Sequence, residues 1–210
     1  MFLKVFIVIL TLQSFVYSIE LNCKSFITSN WWTQSLYECE NGNIQITSKT
    51  KRTITKINAS HNHRKSNKDV DSVWIHDTIV NFFPKNLEEF FPDLIAISIT
   101  TSKLKEIHAD DLKPFPKLIK LFLTNNELEV LDEDLFANNP KLKRLNFDGN
   151  RIRHVGGSLF VGHENLLFLH FLNNNCYSGE AKDDRFEVMM LALNIQNDCF
   201  DVKYEASKRN

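Results

Sequence analysis

The chain has 210 residues, 43% of them hydrophobic and 24% charged, which is enough apolar material for a sizeable core in one domain or two small ones. A formal net charge of −1 selects no class of partner, and four cysteines, an even number, agree with an oxidising compartment. Enzyme signatures are absent: there is no Gly-rich phosphate loop, no G-x-S-x-G elbow and no C-x-x-C pair, so no catalytic, cofactor or metal chemistry is expected.

The chain opens with Lys4 and the apolar run Val5 to Leu10, which fades through Thr11, Gln13 and Ser14 to Val16 and Ser18. That core is too short to span a bilayer and no stop-transfer charges follow it, so residues 1–18 are predicted to be a secretory signal peptide. No later stretch is long and apolar enough to be a membrane span, and the mature protein is expected to be secreted and extracellular. Residues 19–69 contain Cys23, the aromatic pair Trp31 and Trp32, and a predicted hairpin in which Tyr37, Cys39, Ile44 and Ile46 flank a turn at Asn41 and Gly42. Ile54 and Ile57 mark a degenerate first strand. Asn58-Ala59-Ser60 is an N-glycosylation sequon, used only if exported and exposed. From Lys49 to Lys68 seven basic residues occur without an acid, a segment that could meet an anionic glycan or remain a solvated loop. His61 and His63 lack a nearby third ligand and are read as loop residues.

A 24-residue unit then repeats. Leu94, Leu118, Leu142 and Leu166 lie one period apart, each followed three and five positions later by an apolar residue: Ile97 and Ile99, Leu121 and Leu123, Leu145 and Phe147, Leu169 and Phe171. One period before Leu94 stands Val70, with Val73 and Ile75 at the strand positions, so the repeats are placed at residues 70–175. Each copy reads L-x-x-L-x-L-x-x-N-x-L, and in this the chain resembles the leucine-rich repeat family, in its insect-type extracellular form. The resemblance implies an α/β solenoid: a right-handed superhelix with a parallel concave sheet, an N-terminal hairpin cap over residues 19–69 and a C-terminal helical cap over 176–210. It also implies a hydrogen-bond ladder through Asn126, Asn150 and Asn174, weaker where Ser102 and Thr78 replace the amide. Phe136 and Phe160 are expected to form a spine on the convex side, among short helical pieces. Because the two ends of a solenoid lie far apart, the expected disulfides are Cys23–Cys39 and Cys176–Cys199. The C-terminal cap is predicted as a Ser178-Gly179 turn and an amphipathic helix from Asp183 to Ile195, with Phe186, Met189, Met190 and Leu193 on one face.

The repeat register also sorts the strand residues that alternate with the buried set. They form outward columns on the concave face: Ser72, Ala96, Lys120, Arg144 and Phe168; Trp74, Ser98, Phe122, Asn146 and His170; His76, Thr100, Thr124, Asp148 and Leu172. Trp74, His76, Lys120, Phe122, Arg144, Asn146, Phe168, His170 and Leu172 are the candidate ligand-binding residues, since aromatics beside cations have the composition of a binding hot spot. The expected partner is a protein, with a glycan or glycosaminoglycan second and no nucleic acid, because export removes nucleic acid as a target. The alternative is a matrix protein that binds anionic glycans through its basic N-terminal segment.

Overall fold

The computed structural model describes residues 18–23, 25–31, 34–61 and 64–208. Residues 1–17 of the expected signal peptide lie outside these residues, as do Trp32 and His63. In chain order the first elements are β1 (Ile19–Cys23), β2 (Ser25–Trp31), β3 (Gln34–Asn41), β4 (Gln45–Ile46) and β5 (Ile54–Ala59). The middle holds β6 (Ser72–His76), β7 (Ile79–Val80), α1 (Leu87–Phe90), β8 (Ala96–Thr100), α2 (Ala109–Leu112), β9 (Lys120–Phe122) and β10 (Val130–Leu131). The last elements are β11 (Arg144–Asn146), β12 (His154–Val155), β13 (Phe168–His170), β14 (Glu180–Lys182), α3 (Arg185–Cys199) and α4 (Val202–Lys208).

One eight-stranded sheet, in the order β14-β13-β11-β9-β8-β6-β3-β2, runs the length of the molecule. Its six central strands pair in parallel, with Ser72 opposite Ala96, Ala96 opposite Lys120, Lys120 opposite Arg144 and Arg144 opposite Phe168, which is the predicted register. Val73, Ile97, Leu121, Leu145 and Leu169 consequently stack in one fully or almost fully buried column, each side chain contributing about 1.5–3 kcal/mol by leaving water. Phe136 and Phe160 close the core from the convex side, where α1, α2 and tight turns replace longer helices. β10 pairs in parallel with β12, and β4 with β7, on the flank.

The turn that leaves each strand buries backbone groups that the sheet cannot satisfy, and the amide column satisfies them. The Asn150 carbonyl oxygen accepts from Leu128 N (3.1 Å), while its amide donates to Leu123 O (2.8 Å) and Phe147 O (2.9 Å). Asn126 and Asn174 bridge their neighbouring coils in the same way. Ser102 reaches only its own turn through Thr100 O, and the Thr78 hydroxyl donates to Ile44 O, so the first two repeats have single bonds where later ones have several. In the repeats from Val70 onward the residue preceding the ladder position is left-handed: Asp77, Thr101, Asn125, Gly149 and Asn173 all have positive φ. Asparagine, aspartate and glycine tolerate this conformation, whereas the β-branched Thr101 at φ 50° is strained.

The structure corrects three expectations. Asn41 and Gly42 do not turn a hairpin, because β4 continues to a parallel pairing with β7. Asn41 instead acts as a ladder residue, accepting from Asn43 N and Ile44 N (both 3.0 Å) and donating to Asn22 O (2.6 Å). The N-terminal hairpin is β2–β3, running from Ser25 opposite Glu40 to Trp31 opposite Gln34, and β3 joins the concave sheet with Cys39 opposite Val73. The Ile54 strand exists but pairs with β1 in a separate two-stranded sheet. In α3 the buried face is Val188, Leu191, Ala192, Ile195 and Cys199, while Phe186, Met189, Met190 and Leu193 are exposed. The Asp184 carboxylate caps this helix, accepting from Phe186 N and Glu187 N. Both expected disulfides form, with Cα–Cα distances of 5.0 Å for Cys23–Cys39 and 5.1 Å for Cys176–Cys199.

Replacing Asn150 by Ala orphans Leu128 N and Leu123 O, while Phe147 O keeps its bond from the Asn174 amide, and should lower unfolding free energy by about 2 kcal/mol or more in urea titrations. Thr101→Asn, which places a left-handed-tolerant residue at the strained position, should raise it by about 1 kcal/mol in the same assay.

Candidate functional site

The parallel register sets the predicted concave residues side by side in columns, but their exposure differs, and of the nine Trp74, Phe122, Asn146, Phe168 and His170 line a common depression while His76, Lys120, Arg144 and Leu172 do not. Lys120 is 6% exposed and Phe168 only 3%, so the first outward column is closed rather than open to solvent. Concave curvature draws neighbouring strands' side chains onto one another: Phe168 packs 5.8 Å from Phe122, stacks 3.9 Å from His170 and lies 5.8 Å beneath the Arg144 guanidinium. Trp74, His76, Phe122, Arg144, Asn146, His170 and Leu172 are half-buried.

Hydrogen bonds fix the orientation of these groups. The Trp74 indole donates to the Thr100 hydroxyl (3.0 Å), and its ring lies 4.4 Å from that of His76. Two carboxylates bracket each histidine. His76 sits 3.0 Å from Glu40 and 2.9 Å from Asp77; His170 sits 3.2 Å from both Asp148 and Glu180. Asp148 also accepts from Leu172 N (2.6 Å), and the Asn146 side-chain carbonyl accepts from Asp148 N (2.8 Å). The result is a depression of about 430 Å³ whose lining includes Trp74, Thr100, Phe122, Asn146, Phe168 and His170. Its groups are already held in place, so binding there would order few rotamers. Deeper on the same face, burial and the neighbouring Arg144 hold the Lys120 pKa below its ordinary value, partly offset by Glu38 and Asp71.

A second hollow of similar size lies on the flank, around Glu106, His108, Glu127 and Asp132. Its charges are neutralised in place, with Lys49 against Glu106, Arg151 against Glu127 and Arg153 against Glu129. The same holds for much of the basic segment. Arg52 is buried against Asp111 at 2.8 Å and donates to Phe83 O, and Lys56 faces Glu20. Both His61 nitrogens are engaged, with the Tyr37 hydroxyl and with Asn67. Among the described residues no group of three or more His, Cys, Asp or Glu side chains could hold a metal ion, and no helix is long and apolar enough to cross a membrane.

Residues 116–176 match the profile of the Leucine rich repeat family, and they contain β9 to β13 with their amide ladder. The fold is a leucine-rich repeat solenoid. Among solved structures it is similar to a chain of the TLR13–ssRNA13 complex, with 20% identity and a TM-score of 0.50, covering 66% of this chain and 21% of that one. The Drosophila Toll–Spatzle complex aligns at 16% identity and TM-score 0.48 over 60% of this chain and 18% of the other, and the LRIM1/APL1C complex at 15% and 0.47 over 74% and 31%. The chain therefore spans less than a third of each of these relatives, and likeness at such identity establishes the fold alone. No curated protein matches the sequence.

Within this solenoid, sequence reasoning missed the carboxylates Glu38, Glu40, Asp71 and Glu180 on the concave face. Glu38 and Glu40 alternate around Cys39, a strand signal that becomes legible once Asn41 is taken as a ladder position. Glu38 is buried, accepts from the Ser72 hydroxyl at 2.6 Å and has one oxygen without a hydrogen-bond partner. Burial raises its pKa above the ordinary glutamate value, against the opposing Ser72 bond. A proton is then held more tightly in the folded state than in the unfolded chain. The stability Glu38 contributes is full below its unfolded pKa and is lost as pH rises through its folded value. Glu38→Gln should accordingly raise Tm at about pH 7 and leave it unchanged at about pH 4; equal shifts at both would contradict the assignment.

Proposed function

We propose that this chain is a secreted, non-enzymatic binding protein that recognises a protein ligand on its concave sheet. Leucine-rich repeat domains are typically binding scaffolds, and the single observation that carries this reading is the depression around Trp74, Phe122 and His170. Aromatic surface held by hydrogen bonds beside charged groups is the composition of a protein-recognition hot spot. Secretion rests on the apolar leader at residues 1–18, on the two disulfides, and on β1 beginning at Ile19, directly after the expected cut. Residues 19–69 then cap the solenoid, 70–175 present the site and 176–210 close the far end.

A glycan-binding matrix role through the basic segment is the weaker reading, since Lys49, Arg52 and Lys56 face carboxylates of the same chain. Asn58 carries the sequon on β5, where its amide donates to Glu20 and Asn22. Affinity capture from the native extracellular fluid with the full chain, followed by mass spectrometry, identifies the ligand. Titrating that ligand against Trp74→Ala/Phe122→Ala should show binding weakened by about tenfold or more, with Tm recorded for both proteins. Unchanged affinity refutes the concave site.

A further inference from the structure

α3 carries a second apolar face, distinct from the one it buries against the core. Most surface helices bury one apolar stripe and present polar residues to water. α3 is apolar on both sides: its inner face fills the end of the core, while Phe186, Met189, Met190 and Leu193 repeat outward at the i, i+3, i+4, i+7 spacing. Phe186 is 66% exposed and Leu193 46%. Beside this ridge runs a groove of about 210 Å³, between Met189 and Leu193 on the helix and Val161 and Leu166 on the last repeat. Such a ridge and groove match the side-chain spacing of a second helix, and methionines adapt to varied partners.

Charge narrows the occupant. Asp183, Asp184, Glu187 and Asp198 on or next to α3, with Glu164 across the groove, outnumber the cations Lys182 and Arg185. Two copies meeting through this face around a two-fold axis would bring like-charged rims together, and an anionic lipid surface would be repelled. We propose that the outer face of α3 docks a basic amphipathic helix of a different protein, its apolar side on Met189 and Leu193 and its Lys or Arg residues on the acidic rim.

The test uses the full chain and two fluorescent helical peptides, one of Leu and Lys and one of Leu and Glu, read by anisotropy. The Leu/Lys peptide should bind and the Leu/Glu peptide should not. Met189→Gln/Leu193→Gln should weaken binding about tenfold or more while Tm stays unchanged, since both side chains are exposed. Glu164→Lys/Glu187→Lys should reverse the preference between the peptides. Trp74→Ala/Phe122→Ala should bind the Leu/Lys peptide as the parent does, which separates this surface from the concave one. The proposal is overturned if the Gln variant retains parental affinity or if the charge variant leaves the preference unaltered. It is also overturned if sedimentation shows a dimer, or phosphatidylcholine or phosphatidylserine vesicles show retention, that the Gln variant abolishes.

Discussion

Every repeat must leave its strand through a turn whose backbone is buried, and a buried N–H or C=O without a partner is costly. Asn126, Asn150 and Asn174 meet this constraint by accepting from one coil and donating to another. The left-handed residue before each of them aims the chain so that the next side chain points into the turn. These two positions hold the strand starts in step, and the step places Phe122, Phe168 and His170 close enough to touch. The candidate site is thus a product of turn chemistry, remote from the groups that would meet a ligand.

A parallel sheet leaves an unpaired edge at each end, and this molecule covers both with antiparallel strands. β2 folds back on β3, and β14 folds back on β13. Each is secured by a disulfide that closes only a short loop, Cys23–Cys39 and Cys176–Cys199. At the C-terminal edge β14 has only three residues, which limits further strand addition there. At the C-terminal end α3 completes the closure, and His154 anchors the start of α4: its ring accepts from Asp201 N and meets Glu205 at 2.7 Å.

The repeat period and the alternation of inward and outward residues were legible because they depend on spacing alone, whereas the amide ladder and the disulfide pairing followed from the resemblance to leucine-rich repeat solenoids. β3 was hidden because its unit is longer than the others and because Asn-Gly, the usual mark of a hairpin, here serves as a ladder turn. The inner face of α3 could not be chosen from its sequence, since both faces are apolar. The burial of Lys120 and Phe168 depends on curvature between strands, which no single strand encodes. Arg52 looked like part of a solvated basic run, yet its partner Asp111 comes from a convex-side helix two turns of the solenoid away.

The longer first unit shows where this architecture tolerates added length. Between β4 and β6 the chain makes an excursion through β5 and returns with Cys39 still opposite Val73 and Ile46 opposite Val80. The added residues join the stack through buried Ile54 and Arg52, which bond to the backbone of Lys85, and leave the pairing of the later strands in register. A residue inserted between a strand and its ladder asparagine would have no such refuge, because it would exchange inward and outward positions in the turn. Added length and altered surface chemistry can thus enter between β4 and β6 and in the outward columns, while the distance from strand to asparagine stays constant.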